Sequence, residues 1–118
     1  MTLSPADLVQ YGLLALVGTL AATRILTGIS AKRRIPGLLK DGAVIIDVRS
    51  PGEFSAGNAA GSRNIPLNDL AQGVAGLDPK RWIIVCCASG ARSGMARRWL
   101  LRNGFPLVLN GGSWRNLP

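Results

Sequence analysis

The stretch of sequence that decides the fold is WIIVCCASGARS, residues 82–93. It begins with an apolar run that has no polar alternation, which is typical of a strand buried on both faces of a parallel sheet. The small residues that follow predict a tight loop, and Ser93 is predicted to cap a helix that continues to Asn103. The stretch therefore predicts a strand, a loop and a helix in direct succession.

Similar strand patterns occur on both sides of this stretch. Residues 43–48 form one compact apolar run, and residues 107–109 form another. A short helix is predicted over residues 68–74, where Asn68 is its cap. Gly104 supplies the left-handed exit of the later helix, with Phe105 as its hydrophobic contact. Because strands and helices alternate, we predict an α/β fold with a small parallel central sheet flanked by helices in three layers.

An apolar segment precedes this predicted domain. Residues 8–23 carry no charge, and the apolar character continues to Ile29. A span at residues 8–29 has the length that a bilayer-crossing helix needs, so we predict a transmembrane helix. The alternative is a helix packed on the domain or lying at a surface. A short basic connector, residues 32–42, is expected to follow, with one helical turn that closes at Asp41 and Gly42.

The charges beside the apolar segment predict its orientation. Asp7 precedes it, whereas Arg24 and the basic residues 32–34 follow it. The positive-inside rule then places the N-terminus outside and the rest in the cytoplasm, as a single-pass protein of the cell membrane. We divide the chain into residues 1–30, a membrane anchor, and residues 31–118, the α/β domain.

The composition limits the possible chemistry. The chain has 14 Lys and Arg against 6 Asp and Glu, and the net charge of +8 favours anionic surfaces or small anionic substrates. Its two cysteines, Cys86 and Cys87, are adjacent, so a disulfide framework is excluded and a reducing compartment fits better. The absence of histidine excludes Cys/His zinc sites and an imidazole base. We expect neither a metal nor a cofactor.

The loop that leaves the second predicted strand can hold an anion. Its small residues let several backbone N–H groups turn inward, and the helix start adds positive potential. The same field would stabilise the thiolate of Cys87 at the mouth of the loop. The alternative is a buried, inert thiol beside an ordinary strand-to-helix turn.

Four motifs together resemble the rhodanese-like sulfurtransferase family. The spacing C-x-x-G-x-R-S of residues 87–93 is similar to the active-site loop of that family. Residues 46–54, IDVRSPGEF, resemble its D-V-R-x-x-x-E-F segment, and residues 61–67, GSRNIPL, resemble its G-x-x-N-I-P stretch. Its glycine pair and tryptophan near the C-terminus are matched by Gly111, Gly112 and Trp114. The motifs follow the family order and cover nearly the whole soluble part of the chain.

This resemblance implies transfer of a sulfane sulfur from a small anionic donor such as thiosulfate. Cys87 would be the catalytic residue and become a persulfide, which a thiol or cyanide acceptor then discharges. Sulfite leaves as a stable anion, so the reaction needs no histidine acid. The persulfide-binding loop would consist of Ala88, Ser89, Gly90, Ala91, Arg92 and Ser93.

The resemblance also implies supporting residues. Asp47 is expected to accept backbone hydrogen bonds, and Arg49 and Glu53 are expected to form an ion pair beneath the loop. Arg92 has two possible roles that the sequence leaves open: it donates to the anionic donor, or it pins the loop.

The sequence departs from the family pattern at three places. Asn58 stands where the family usually has histidine, in a position that we interpret as structural. Ala88 takes a loop position that is often charged, which bears on the choice of donor. Little chain follows Trp114, so we expect the usual final helix to be missing.

A second enzymatic interpretation starts from Cys86. Counting from this residue gives C-x5-R to Arg92, the spacing of cysteine phosphatases and arsenate reductases. That register removes Gly90 from its matched place, and no histidine precedes Cys86. We therefore expect Cys86 to point back into the sheet.

Two further interpretations of the sequence involve no catalysis. In the first, the chain is a membrane-tethered binding module that carries persulfide for a membrane or sulfur-trafficking partner. In the second, the basic residues Arg97, Arg98 and Arg102 bind nucleic acid. We do not expect a nucleic-acid partner, because basic helix faces are usually solvated or lie near lipid headgroups.

Overall fold

The computed structural model describes residues 2–118, with the backbone alone for residues 24–29. The described chain divides into two compact units between Ser30 and Ala31. Its helices are α1, Pro5–Lys40; α2, Pro51–Ala56; α3, Leu70–Gly73; and α4, Ala91–Arg102. Its strands are β1, Val44–Asp47; β2, Arg63–Asn64; β3, Ile83–Cys87; and β4, Val108–Ser113. Two short 3-10 helices cover Leu67–Asp69 and Trp114–Asn116.

The first unit is the N-terminal part of α1. The Ser4 hydroxyl accepts the N–H of Asp7 at 3.2 Å, and the Asp7 carboxylate accepts the N–H of Ser4 at 3.0 Å, which together cap the helix. The segment Pro5–Thr23 is long and apolar enough to cross a membrane, and its side chains are exposed. The predicted span at residues 8–29 stays a prediction, and the side chains of its last six residues lie outside the described part.

The connector predicted at residues 32–42 is wrong, because α1 continues through most of it. Pro36 lies inside this helix, where its missing N–H costs a backbone hydrogen bond. Packing offsets that cost, since Ile35 is buried in the core of the second unit. The helix ends at Lys40, and the turn at Asp41 and Gly42 lies where it was predicted, with a left-handed φ of 88° at Gly42.

The second unit is built on a parallel sheet. Within the described residues the sheet has four strands in the order β2-β1-β3-β4, and each neighbouring pair is parallel. The predicted α/β fold and the three apolar strands are therefore confirmed. The sequence does not predict β2, because two polar residues at an edge carry no periodic signal.

The predicted start of α4 is wrong. The helix begins at Ala91, and Gly90 stands at the cap position with a left-handed φ of 101°. Ser93 therefore lies inside the first turn, where its side chain is buried. The predicted exit is confirmed, because Gly104 is left-handed and Phe105 packs against the core.

The segments around α2 and α3 also differ from the prediction. Asn68 lies in the 3-10 turn that precedes α3, so the single helix expected over residues 68–74 is wrong. The helix α2 was not predicted, although Ser50 and Glu53 form a complete capping box at its start. Such short helices depend on their neighbours, because a single turn is marginal in water.

The core of the second unit lies on both faces of the sheet. Successive side chains of β3 point to opposite faces of the sheet, and Cys87 lies in the cluster that contains Ala96 and Leu100 of α4. The same alternation sends Cys86 to the opposite cluster, which contains Ile35 of α1. Cys86 thus points into the sheet, as expected, and the two adjacent thiols face different environments.

Candidate active site

Cys87 is the last residue of β3, and its sulfur meets the loop that follows. The Sγ atom accepts the N–H of Gly90 at 2.9 Å and lies 3.3 Å from the hydroxyl oxygen of Ser93. Gly90 can aim its N–H inward because a glycine adopts a left-handed φ without steric cost. The loop and the first turn of α4 therefore direct two polar groups at the sulfur.

The predicted position of Cys87 at the mouth of the loop is wrong. Its exposed fraction is 0%, because β3 turns this side chain towards the face that α4 covers. The sulfur therefore lies at the base of the loop, in contact with an inward-directed amide.

The two thiols have opposite pKa shifts. Burial raises the pKa of Cys87, but hydrogen bonds from Ser93 and from the backbone of the loop outweigh it, so that the pKa is lowered. Burial, reinforced by the charge of Asp47, raises the pKa of Cys86 to about 12. Cys86 therefore stays a neutral thiol at neutral pH, which argues against the C-x5-R register.

An ion pair between Arg92 and Glu53 closes the outer side of the loop. The guanidinium and the carboxylate meet through two contacts, of 2.7 and 2.9 Å. Both side chains are partly exposed, at 39% and 38%. The predicted pair of Glu53 with Arg49 is wrong, since α2 turns this carboxylate towards α4. In this arrangement Arg92 ties the loop to α2.

Arg49 instead pairs with Asp47 beneath the loop. Their side chains meet at 2.7 Å, and both are almost fully buried. Asp47 also accepts the backbone N–H of Arg49 at 3.0 Å, as expected for a backbone acceptor. The guanidinium donates to the carbonyl of Gly57 at 2.7 Å and lies 4.7 Å from the ring centre of Trp114. This cluster links β1 to the chain that follows β4.

The glycine pair of β4 allows the loop to pack closely on the sheet. A Cβ atom at Gly90 would lie 3.3 Å from the Cα atom of Gly112. A Cβ atom at Gly111 would lie 3.0 Å from a side-chain carbon of Ile84. The pair therefore provides the close approach that larger residues would prevent.

Asn110 joins the loop to β4, a role that the sequence did not predict. Its Oδ1 atom accepts the Ser93 hydroxyl at 2.7 Å and the Gly112 N–H at 3.0 Å. Its Nδ2 atom donates to the Gly90 carbonyl at 3.2 Å. The role depends on the register that pairs Asn110 with Val85, and its position directly before the glycine pair is the one cue that the sequence offers.

The other predicted loop residues lie at the surface. Ala88, Ser89 and Ala91 are exposed, and their small side chains leave room for the turn. Asn58, at the histidine position of the family pattern, donates to the carbonyl of Phe54 at 3.0 Å. Its contact is with α2, which fits a structural role.

The arrangement suits nucleophilic attack by a sulfur anion. A thiolate that accepts backbone N–H groups at a helix start can attack an electrophilic centre. The chain contains no histidine to protonate a leaving group. A leaving group that is stable as an anion therefore suits this site, because it needs no imidazole acid.

Comparisons with known proteins agree with this fold and loop. The family model for the rhodanese-like domain matches residues 33–115. Thiosulfate sulfurtransferase GlpE of Pseudomonas aeruginosa is 32% identical over 91 residues, which cover 74% of this chain and 83% of that protein. Uncharacterized protein YqhL of Bacillus subtilis is 38% identical over 68 residues, 58% of this chain, and the match spans only 54% of YqhL. A solved rhodanese with anions from E. coli is 30% identical with a TM-score of 0.60, and the match covers 65% of this chain and 95% of that one. The chain therefore belongs to the rhodanese-like domain family.

Proposed function

We propose that this protein is a sulfurtransferase in which Cys87 carries a sulfane sulfur as a persulfide. The observation that carries the proposal is the N–H of Gly90, 2.9 Å from the Cys87 sulfur at the start of α4. A helix start and an inward amide both favour a negatively charged sulfur. The relatives named thiosulfate sulfurtransferase and the E. coli rhodanese with anions support a small anionic donor.

The proposed reaction has two sulfur transfers. The Cys87 thiolate attacks the outer sulfur of thiosulfate, so that a new S–S bond forms while the bond to the sulfonate breaks. Sulfite leaves with the electron pair of that bond, and the persulfide carries the negative charge on its outer sulfur. A thiol or cyanide acceptor then attacks this outer sulfur, and the Cys87 thiolate is restored. Both leaving groups are stable anions, so no imidazole acid is required.

The proposal is tested by measuring the intact mass of the full-length protein after exposure to thiosulfate. We expect a gain of one sulfur that is reversed by cyanide and that maps to the peptide with the two adjacent cysteines. Cys87→Ser should abolish the gain. Cys86→Ser is the matched control, because it changes the neighbouring thiol on the other face of the sheet, and it should keep the gain.

Two results would contradict the proposal. A protein that gains no sulfur from thiosulfate under these conditions would be no thiosulfate sulfurtransferase. A gain that survives in Cys87→Ser and disappears in Cys86→Ser would move the chemistry to the C-x5-R register.

We also propose that the apolar helix anchors the protein in the cell membrane, with the α/β domain in the cytoplasm. The segment Pro5–Thr23 has the required length and apolar surface. The basic residues 32–34 follow it and favour the cytoplasmic side. A membrane or sulfur-trafficking partner would then meet the catalytic loop on the cytoplasmic side.

A further inference from the structure

The orientation of the Asn110 amide is fixed by two backbone groups. The N–H of Gly112 can only donate, so the atom that it meets at 3.0 Å is the amide oxygen. The carbonyl of Gly90 can only accept, so the atom at 3.2 Å is the amide nitrogen. The Ser93 hydroxyl, 2.7 Å from the amide oxygen, must therefore donate its hydrogen to Asn110.

Ser93 has one hydroxyl hydrogen, and two acceptors compete for it. The second acceptor is the Cys87 sulfur, 3.3 Å from the hydroxyl oxygen. When the hydrogen points to Asn110, the Ser93 oxygen can still accept the S–H of a neutral thiol. A thiolate has no hydrogen to give, so the hydroxyl must turn towards the sulfur. The Asn110 oxygen then keeps only the N–H of Gly112.

We propose that Asn110 is a positioning residue that acts through Ser93 and opposes negative charge on the Cys87 sulfur. It contributes one more hydrogen bond when the charge is absent from that atom than when it is present. Two states of Cys87 lack this charge: the thiol and, in the sulfurtransferase function on which this inference rests, the persulfide. Asn110 therefore disfavours the empty thiolate and favours the sulfur-loaded form.

Other charged and titratable groups lie near Cys87, and the charged ones are held in ion pairs. Arg92 faces it from α4 and is paired with Glu53 of α2. Asp47 of β1 is paired with Arg49 in the same way. Cys86 precedes it on β3, and β4 contains no charged residue. Since Asn110→Ala and Ser93→Ala leave all of these groups in place, a change in the pKa of Cys87 in these variants reports on the hydroxyl contact.

The effect of Ser93 on the pKa of Cys87 agrees with a competition for its hydroxyl hydrogen. Burial raises the pKa of Cys87, and the hydrogen bond of the Ser93 side chain lowers it. Ser93 therefore acts as a donor to the thiolate, the state in which Asn110 has lost its hydrogen.

The test is the pH dependence of Cys87 alkylation by iodoacetamide in the full-length protein. Because the two cysteines are adjacent and share one peptide, fragmentation of that peptide by tandem mass spectrometry assigns the label to Cys87 or Cys86. Asn110→Ala should lower the pKa of Cys87 by about half a unit to one unit, the size of one neutral hydrogen bond. Ser93→Ala should raise that pKa, because the thiolate loses a donor. In the Ser93→Ala protein, adding Asn110→Ala should change nothing, because no hydroxyl remains for Asn110 to accept.

Three results would overturn the proposal: an unchanged pKa in Asn110→Ala, a raised pKa, or an equal shift with and without Ser93. If Asn110→Ala does not fold, Asn110→Asp takes its place. It keeps the acceptor and should raise the pKa of Cys87, more with Ser93 present than in the Ser93→Ala protein. An equal rise in both would contradict the competition.

Alkylation needs no sulfur donor, so the two hypotheses fail separately. A normal sulfur gain from thiosulfate together with an unchanged pKa in Asn110→Ala would reject the role of Asn110 alone. The predicted pKa shifts together with no sulfur gain would reject the sulfurtransferase function and keep the competition for the Ser93 hydrogen.

Discussion

Two neighbouring cysteines acquire different chemistry because their side chains leave β3 on opposite faces. Cys87 meets the N–H of Gly90 and the hydroxyl of Ser93, and these contacts offset the cost of burying a charged sulfur. Cys86 meets an apolar cluster, where burial raises its pKa to about 12. The pKa of Cys87 is therefore lowered by a few directed hydrogen bonds rather than by exposure, since both thiols are buried.

The pair of Glu53 with Arg92 predicts how stability depends on pH. The hydrogen bonds from Arg92 lower the pKa of Glu53 from 4.5 to about 2. Since the folded pKa lies below the unfolded one, the stabilisation is present above pH 4.5 and is lost as the pH falls towards 2. Glu53→Gln keeps an oxygen for the capping box but removes the charge. We expect it to unfold at a lower urea concentration than the unmodified protein at neutral pH.

Urea unfolding of both proteins at several pH values distinguishes the ion pair of Glu53 from its packing and capping contacts. The difference between Glu53→Gln and the unmodified protein should shrink through the acid range and decrease with added salt, because the pair is partly exposed. A difference that stays constant down to the pKa of Glu53, about 2, would mean that packing or capping, rather than the ion pair, stabilises α2.

At the scale of elements, Gly90 is expected to link backbone geometry to activity. Gly90 and Gly76 both have a left-handed φ, of 101° and 85°, but only at Gly90 would a Cβ atom lie 3.3 Å from the backbone of Gly112. Substitution by alanine should cost about 1 to 2 kcal/mol of unfolding free energy at either position, from the backbone strain. Gly90→Ala should also slow sulfur uptake from thiosulfate on the order of 100-fold, because the loop donor is displaced.

Gly76→Ala is the matched control, since open space surrounds that position. It should lose stability and keep its rate of sulfur uptake, measured by intact mass over time. Equal rates in Gly90→Ala and Gly76→Ala would show that the position of the Gly90 N–H does not matter for the reaction.

The elements that the sequence predicts are those with a strong local signal. The strands around residues 43–48 and 82–87 are continuous apolar runs, and sheet burial on both faces requires such runs. The loop after Cys87 is predicted because its spacing and small residues carry the information within a few positions. In contrast, α1 through Pro36 depends on packing with the core, which overrides the local preference of proline for a helix end.

The side-chain partners could not be predicted, because they depend on the orientation of the elements. Arg49 and Glu53 are four residues apart, a spacing that would suit a pair on one helix, but only Glu53 belongs to α2. Asn110 reaches the loop through the strand register, which no local pattern specifies. Contacts between segments that are distant in the chain are therefore the part of the site that local sequence patterns do not predict.

At the scale of the whole molecule, the apolar helix and the basic residues after it predict a membrane protein. Leu13 and Leu14 are exposed in the middle of the segment Pro5–Thr23. An arginine at the centre of a spanning helix costs about 2.5 to 3.5 kcal/mol on insertion scales. We therefore expect the full-length protein to sediment with membranes and to resist carbonate washing, whereas Leu13→Arg combined with Leu14→Arg should appear in the soluble fraction.

Leu101→Arg adds a charge to an exposed position of α4 and should leave the protein in the membrane fraction. Protease added outside intact cells should spare the α/β domain, because the positive residues 32–34 favour the cytoplasmic side. An unmodified protein found wholly in the soluble fraction would rule out the anchor, and digestion of the domain from outside would reverse the orientation.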